Sequence, residues 1–259
     1  MKKFLLACLL VGSAFAGPWG REKGEFFIAP QFYSYRATKY WDSNGNSKSI
    51  GCTYKKTESA IYGEYGLSEK DTISVRIPYI SAECGRDKSS GIGDIEIGVL
   101  HKIKKEGSGV LSLQGLAIIP TGYSINKPVR IGYGRVGAEL SLLGGYSVKD
   151  TFLEGGVGYR HYFGYPSEQI RAYARVGHTF ANRLMVMDTL DLQYGLWNGK
   201  RKVIGFDATL EPNYRLLQND FFVGVKLGNL TLGAGWVQAL WGRNTGKGTS
   251  FYSQAWVDF

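Results

Sequence analysis

Long apolar runs are what this chain most plainly lacks: beyond its first 16 residues, no stretch reaches the 18 or so that a membrane-spanning helix needs. No helix from that part can cross a bilayer. Histidine and cysteine occur three times each, without the spacing of a zinc, haem or iron–sulfur ligand set, so no metal is expected. No glycine loop carries a phosphate-cradling signature, which leaves no cofactor to expect. His101, His161 and His178 lack a serine at a useful spacing, and the loop-forming Gly164-Tyr165-Pro166 separates His161 from Ser167. A nucleophile needs its base within hydrogen-bond reach and a third group to orient that base. The chain is therefore read as non-enzymatic, a surface lipid hydrolase being the last of the alternatives.

What is present begins with Met1-Lys2-Lys3, an apolar stretch from Phe4 to Val11, and the small residues Gly12-Ser13-Ala14-Phe15-Ala16. This is the layout of a signal peptide cleaved after Ala16, with 17–259 as one mature domain. Loss of two lysines takes the formal charge from +9 to +7 (9 − 2). Lys39, Lys48, Lys55, Arg86, Lys88 and Lys247 fall in or beside expected surface loops. An exported chain meets no nucleic acid, so these residues are either simply solvated or within reach of outer-membrane lipid and lipopolysaccharide as anionic partners.

Composition separates the destinations open to an exported chain. With 36 Gly, 17 Tyr, 13 Phe and 6 Trp spread along the sequence, short alternating segments recur between turns. A transmembrane antiparallel β-barrel needs that pattern, because its strands face lipid and lumen in turn. Strands are expected over 25–39, 52–67, 71–81 and 91–104, with a fifth ending at Pro120; then over 131–148, a seventh ending at Tyr162, and 169–180. Four more begin at Arg183, lie over 220–227 (with 203–210 as an alternative start), cover 230–241 and end at Phe259. Outer loops are expected at 42–51, 84–90, 121–130 and 242–248, and tight turns at 68–70, 105–108, 149–150 and 228–229. The all-β barrel thus has about twelve strands, an even number that puts both termini in the periplasm.

The last segment, Ser250 to Phe259, alternates with Phe251, Val257 and Phe259 on one face. A terminal aromatic there would sit in the interfacial girdle, close the barrel against the first strand and resemble the signal read by the barrel-assembly machinery. The same alternation sends Glu58, Glu64, Arg76, Asp94, Glu96, Arg135, Glu139, Glu154, Arg160, Arg171, Arg175 and Lys226 inward as lumen-lining residues. Charges in a narrow lumen must pair or stay wet. Pairing would fill the lumen and wetting would leave a channel, and both outcomes stay open.

Cys52 and Cys84 remain after signal cleavage and meet an oxidising compartment. If the hairpin joining 52–67 to 71–81 turns about Ser68, facing positions sum to 136, and 52 + 84 meets that sum. The two would then lie about 4.5 to 5.5 Å apart, within disulfide range.

In order along the chain, Tyr65-Gly66-Leu67, Ile77-Pro78-Tyr79, Gly91-Ile92-Gly93-Asp94-Ile95-Glu96-Ile97-Gly98, Tyr159-Arg160-His161 and the outer-loop motif Gly242-Arg243-Asn244-Thr245-Gly246 resemble a family of bacterial outer-membrane barrels. That family is named for the meta-cleavage pathway of phenol degradation and is described as transporters. The resemblance covers most of the mature chain and departs from the pattern at the two cysteines and over 194–219. It implies a barrel and suggests uptake of small, apolar or aromatic solutes. The combined expectation is a monomeric outer-membrane channel or transporter, with a closed structural or lipopolysaccharide-binding barrel as the alternative.

Overall fold

The computed structural model describes residues 17–164, 168–196 and 214–259. The expected signal peptide, the strand start at 203–210 and Ser167 lie outside the described residues. Among the described residues thirteen strands are formed: β1 (Phe26–Trp41), β2 (Ser47–Gly66), β3 (Asp71–Cys84), β4 (Asp87–Ile92), β5 (Ile95–Glu106), β6 (Gly109–Ile119) and β7 (Gly137–Val148). They continue as β8 (Thr151–Tyr162), β9 (Glu168–Phe180), β10 (Leu184–Leu196), β11 (Arg215–Leu227), β12 (Leu230–Arg243) and β13 (Thr245–Asp258).

Alternation decides which way each side chain points. On β9, Gln169, Arg171, Tyr173 and Arg175 are buried while Ala174, Val176 and Phe180 are exposed. Charged residues inside and aliphatic residues outside invert a soluble sandwich, and only lipid around the wall makes that arrangement stable. Exposed aromatics mark both ends of the apolar band: Phe26, Tyr65, Tyr146, Phe180 and Phe259 at one end, Tyr79, Tyr159, Phe163 and Trp241 at the other.

Every strand pairs antiparallel with its neighbours, and β13 returns to β1, with Phe27 opposite Asp258 and Trp41 opposite Thr245. The terminal residue completes this closure: Phe259 N–H donates to Phe26 O at 2.9 Å, and the two rings lie 5.8 Å apart. The thirteen strands make a closed barrel of twelve, because β4 and β5 share one place in the wall. β3 pairs with β5 over Asp71–Arg76 and with β4 over Tyr79–Cys84, the wall strand breaking at Gly93-Asp94. Among the described residues β4 has no second strand neighbour.

Several expected boundaries are corrected. The strand expected over 131–148 begins only at Gly137, since Val129, Ile131 and Tyr133 are buried inside the barrel, not set in its wall. The loops expected at 42–51 and 84–90 shrink to turns around Asn44 and at Gly85-Arg86. The loop expected at 242–248 is a one-residue turn at Asn244 (φ 50°). Asn tolerates that left-handed conformation better than most residues.

The cysteines are joined as expected, with Cα atoms 5.6 Å apart. The register behind the expectation is off by two, however: Gly66 faces Thr72 and Tyr54 faces Cys84, so facing positions sum to 138. Cys52 reaches its partner from a bulge, because the partners of β1 jump from Tyr54 to Ser49 and leave Ile50–Thr53 outside the ladder. Gly51, with φ 86°, permits that excursion.

Candidate functional site

Three layers fill the lumen. At the end bearing the short turns, the segment before β1 enters the barrel. Pro18 O accepts a hydrogen bond from Ser112 Oγ at 2.6 Å, and Gly145 leaves room that a side chain would take from Pro18 and Trp19. Arg21 donates through Nε to Glu64 at 2.5 Å and through Nη1 to Asp258 at 2.7 Å, and its guanidinium lies 4.2 Å from the centre of the Phe27 ring. Thr72 Oγ1 takes the Arg21 N–H at 2.7 Å. Glu64, expected to line the lumen, is the buried anchor of this segment.

Above it lies an aromatic layer. Phe222 stacks between Tyr252 and Trp256 at 6.1 and 5.1 Å, with Phe27, Tyr62, Phe152, Met185 and Met187 packed around them. Gly177 and Gly233 admit it, since a Cβ at either would strike the ring of Phe152 or Phe222. Glu154 and Arg175 pair at this level at 2.7 Å, both fully enclosed, with Thr189 Oγ1 accepting the Arg175 Nε–H at 2.9 Å. Lys226 is half-buried at the edge of a depression shared with Arg21 and Asp258.

The third layer is a cavity of about 160 Å³. One wall is a chain of alternating charges: Lys56 to Glu58 at 3.6 Å, Glu58 to Arg76 in direct contact, Arg76 to Glu96 at 3.9 Å, Glu96 to Arg160 at 3.8 Å and Arg160 to Glu139 at 2.5 Å. Arg171 is buried on the same wall. The rest of the wall is neutral, running from Tyr33 and Tyr35 on β1, beside Glu58 and Lys56, to Leu216, Val237 and Ala239 on β11 and β12.

The segment over 120–136 roofs the cavity. Tyr123 Oη donates to Asp94 Oδ1 at 2.5 Å and accepts the Gly134 N–H at 2.8 Å, while Ser89 Oγ donates to Val129 O at 2.6 Å. Burial and the neighbouring Asp94 carboxylate both push the Tyr123 phenol upward, so it stays protonated and holds that bond. Asp94 sits at the break between β4 and β5, where it meets the roof.

Ten of the twelve charges expected to face inward are thus buried or half-buried in these layers, and Asp94 stands at the roof. Arg135 is the exception: it precedes β7, is exposed, and packs beside Gly164 at the rim, because the alternation on which its inward assignment rested does not begin until Gly137. In the outer-loop motif, Gly242, Thr245 and Gly246 are buried, Arg243 and Asn244 are half-buried, and Gly246 reaches the cavity. Phe251 and Phe259 are exposed on the outer face, with Val257 between them half-buried. The three histidines lie on separate strands with different partners: His101 with Asp71 at 2.8 Å, His161 with Glu168 at 3.9 Å, and His178 with Thr151 at 2.8 Å. Alternation alone could not single out Arg21 or the roof. Glu64 could have hinted at Arg21, because its register neighbours Phe27 and Ser74 carry no positive charge.

This geometry is the fold of outer-membrane barrel channels. An outer membrane channel from Pseudomonas putida F1 is similar over 95% of this chain and 100% of its own, with 13% identity and a TM-score of 0.78. The KdgM porin matches 89% of this chain and 99% of its own at 9% identity and a TM-score of 0.53. The translocator domain of the autotransporter NalP from Neisseria meningitidis matches 92% and 90% at 15% identity and a TM-score of 0.51. No protein-family model and no curated protein matches the sequence.

Proposed function

We propose that the protein is a monomeric outer-membrane channel or transporter for small molecules and not an enzyme. The observation that carries this reading is a cavity with one charged and one neutral wall, enclosed in a barrel whose outside suits only lipid. The charges have paired along one side, so the lumen keeps open volume instead of being filled by them. The roof at Tyr123 bounds that volume on one side and the aromatic layer, with the Arg21 segment beneath it, on the other, and small solutes would pass by displacing them. The one-sided pairing of β4 offers apolar solutes a second exit, from the cavity through the wall into lipid.

Single-channel recording in a planar bilayer tests the reading. Discrete current steps that widen when Arg21 is replaced by Ala are expected. Silence from both proteins, together with failure of solutes to enter protein-containing liposomes, would reject it.

Binding of lipopolysaccharide is a second reading with its own observation. On the outer face Arg36 stands opposite Lys55, whose only acidic neighbour in register is Glu83, at 3.1 Å. Like charges in facing positions repel unless an anion lies between them. A shift in thermal stability with phosphorylated but not dephosphorylated lipid A, abolished in Arg36→Ser, is the expected outcome. Equal response to both lipids would remove it.

A further inference from the structure

Among the described residues, Gln169 and Glu96 in the cavity wall carry polar atoms without a hydrogen-bond partner. Gln169 is 1% exposed and lines the cavity, yet neither its amide nitrogen nor its amide oxygen is bonded among the described residues. Glu96 Oε2 is buried and likewise unbonded, its nearest cation being Arg76 Nη1 at a non-bonding 3.9 Å. Arg160 links the two positions, facing Gln169 in the β8–β9 register and lying 3.8 Å from Glu96. A buried amide left unbonded is costly, so such groups are normally satisfied by whatever occupies the space beside them.

The open groups restrict the head of an occupant. Gln169 offers one donor site and one acceptor site, and Glu96 offers an acceptor. A carboxylate, with acceptors only, would bond the Gln169 NH₂ but repel Glu96, and Arg76 and Arg160, which could otherwise attract it, already face Glu58, Glu96 and Glu139. An ammonium, with donors only, would face Arg76, Arg160 and Arg171. A hydroxyl or a primary amide both donates and accepts without bringing charge to a wall whose ions are already paired. The body of the occupant is restricted by size and surface. Leu216, Val237, Ala239, Ile118 and Ile131 supply apolar contact, and about 160 Å³ is close to the roughly 150 Å³ of a cavity that accepts benzene.

Resting on the channel reading above, we infer that this cavity is a binding station for an uncharged molecule of single-ring size bearing a hydroxyl or amide group. Such a solute meets Gln169 and Glu96 with its head and the β11–β12 wall with its body. Selection of this kind passes neutral amphiphiles and holds back ions of either sign.

The test uses the purified full chain in detergent and three probes of one body: cyclohexanol, cyclohexanecarboxylate and cyclohexylammonium. Saturable binding is read by ligand-observed NMR, with Gln169→Leu as the reference that removes partition into the micelle. Cyclohexanol is expected to bind at least about tenfold more tightly than either ion and to lose about tenfold in Gln169→Leu, the worth of one to two hydrogen bonds. A charged probe that binds as well as the alcohol, or alcohol binding unaltered in the variant, overturns the inference. Should Gln169→Leu fail to fold, as shown by loss of heat-modifiable mobility, the charge series on the natural protein decides alone. Conductance measured on the same preparation separates the two readings: current without alcohol binding sinks only this station, and alcohol binding without current or uptake sinks only the channel.

Discussion

Arg21 and Glu64 face each other at 2.5 Å inside the barrel, and that contact, with Asp258 on the other side of the guanidinium, holds a segment of chain across one end of the lumen. Replacing Arg21 by Ala leaves Glu64 buried without its cation and frees the segment. Conductance should rise by roughly twofold or more, because a polar constriction of this kind limits flow. Recording the variant beside the natural protein checks this, and equal conductance would mean that the constriction lies elsewhere.

Glu154 and Arg175 are a pair of another kind, sealed in the aromatic layer with side-chain exposures of 0% and 1%. Arg175→Ala should lower stability by roughly 3 kcal/mol, since it strands a buried carboxylate. The double change Glu154→Leu with Arg175→Met should cost much less, for no charge is then left unpaired. Denaturation followed by loss of heat-modifiable mobility compares the two. A double variant as unstable as the single one would show that volume, not charge, is what the pair supplies.

The Cys52–Cys84 bridge spans a sequence separation of 32. Loop-closure entropy would set its worth on the order of 3 to 4 kcal/mol, less here because the β2–β3 ladder already joins the same segments. Reduction should therefore leave the barrel folded while raising protease sensitivity at Gly51 and Gly85. Peptide mapping before and after reduction reads both the cross-linked peptide and the new cleavage.

Phe259 sits exposed beside Phe26 and pairs with it through the backbone in both directions. Deleting it, or changing it to Asp, should lower the yield of folded barrel in the outer membrane, with truncated material accumulating unfolded. Undiminished yield would assign recognition by the assembly machinery to some other part of β13.

The wall was largely legible because a period of two admits few readings. Ile73, Val75 and Ile77 against Thr72, Ser74 and Arg76 fix the face of β3, and the turns at 149–150 and 228–229 announce themselves by composition. The same period misleads at 131–136, where Ile131 and Tyr133 alternate like a strand but pack against the lumen. Alternation reports that a side chain is buried, not what buries it. The break at Gly93-Asp94 and the bulge at Ile50–Thr53 depend on how neighbouring strands run out of partners, which no single strand encodes. The Arg21 segment escaped for a related reason, since its contacts with Glu64, Thr72 and Asp258 lie 43, 51 and 237 positions away.

The roof over 120–136 also bears on how such a barrel can change over evolutionary time. Substitutions in a strand must respect two neighbours and a lipid face, whereas a connection outside the ladder answers only to what it touches. Exchanging Tyr123, Val129 or Ile131 reshapes the ceiling of the cavity without moving the register of any strand. A lineage carrying this scaffold could thus diversify the molecules it admits through a handful of changes in one connection, while the membrane-inserted wall is inherited intact.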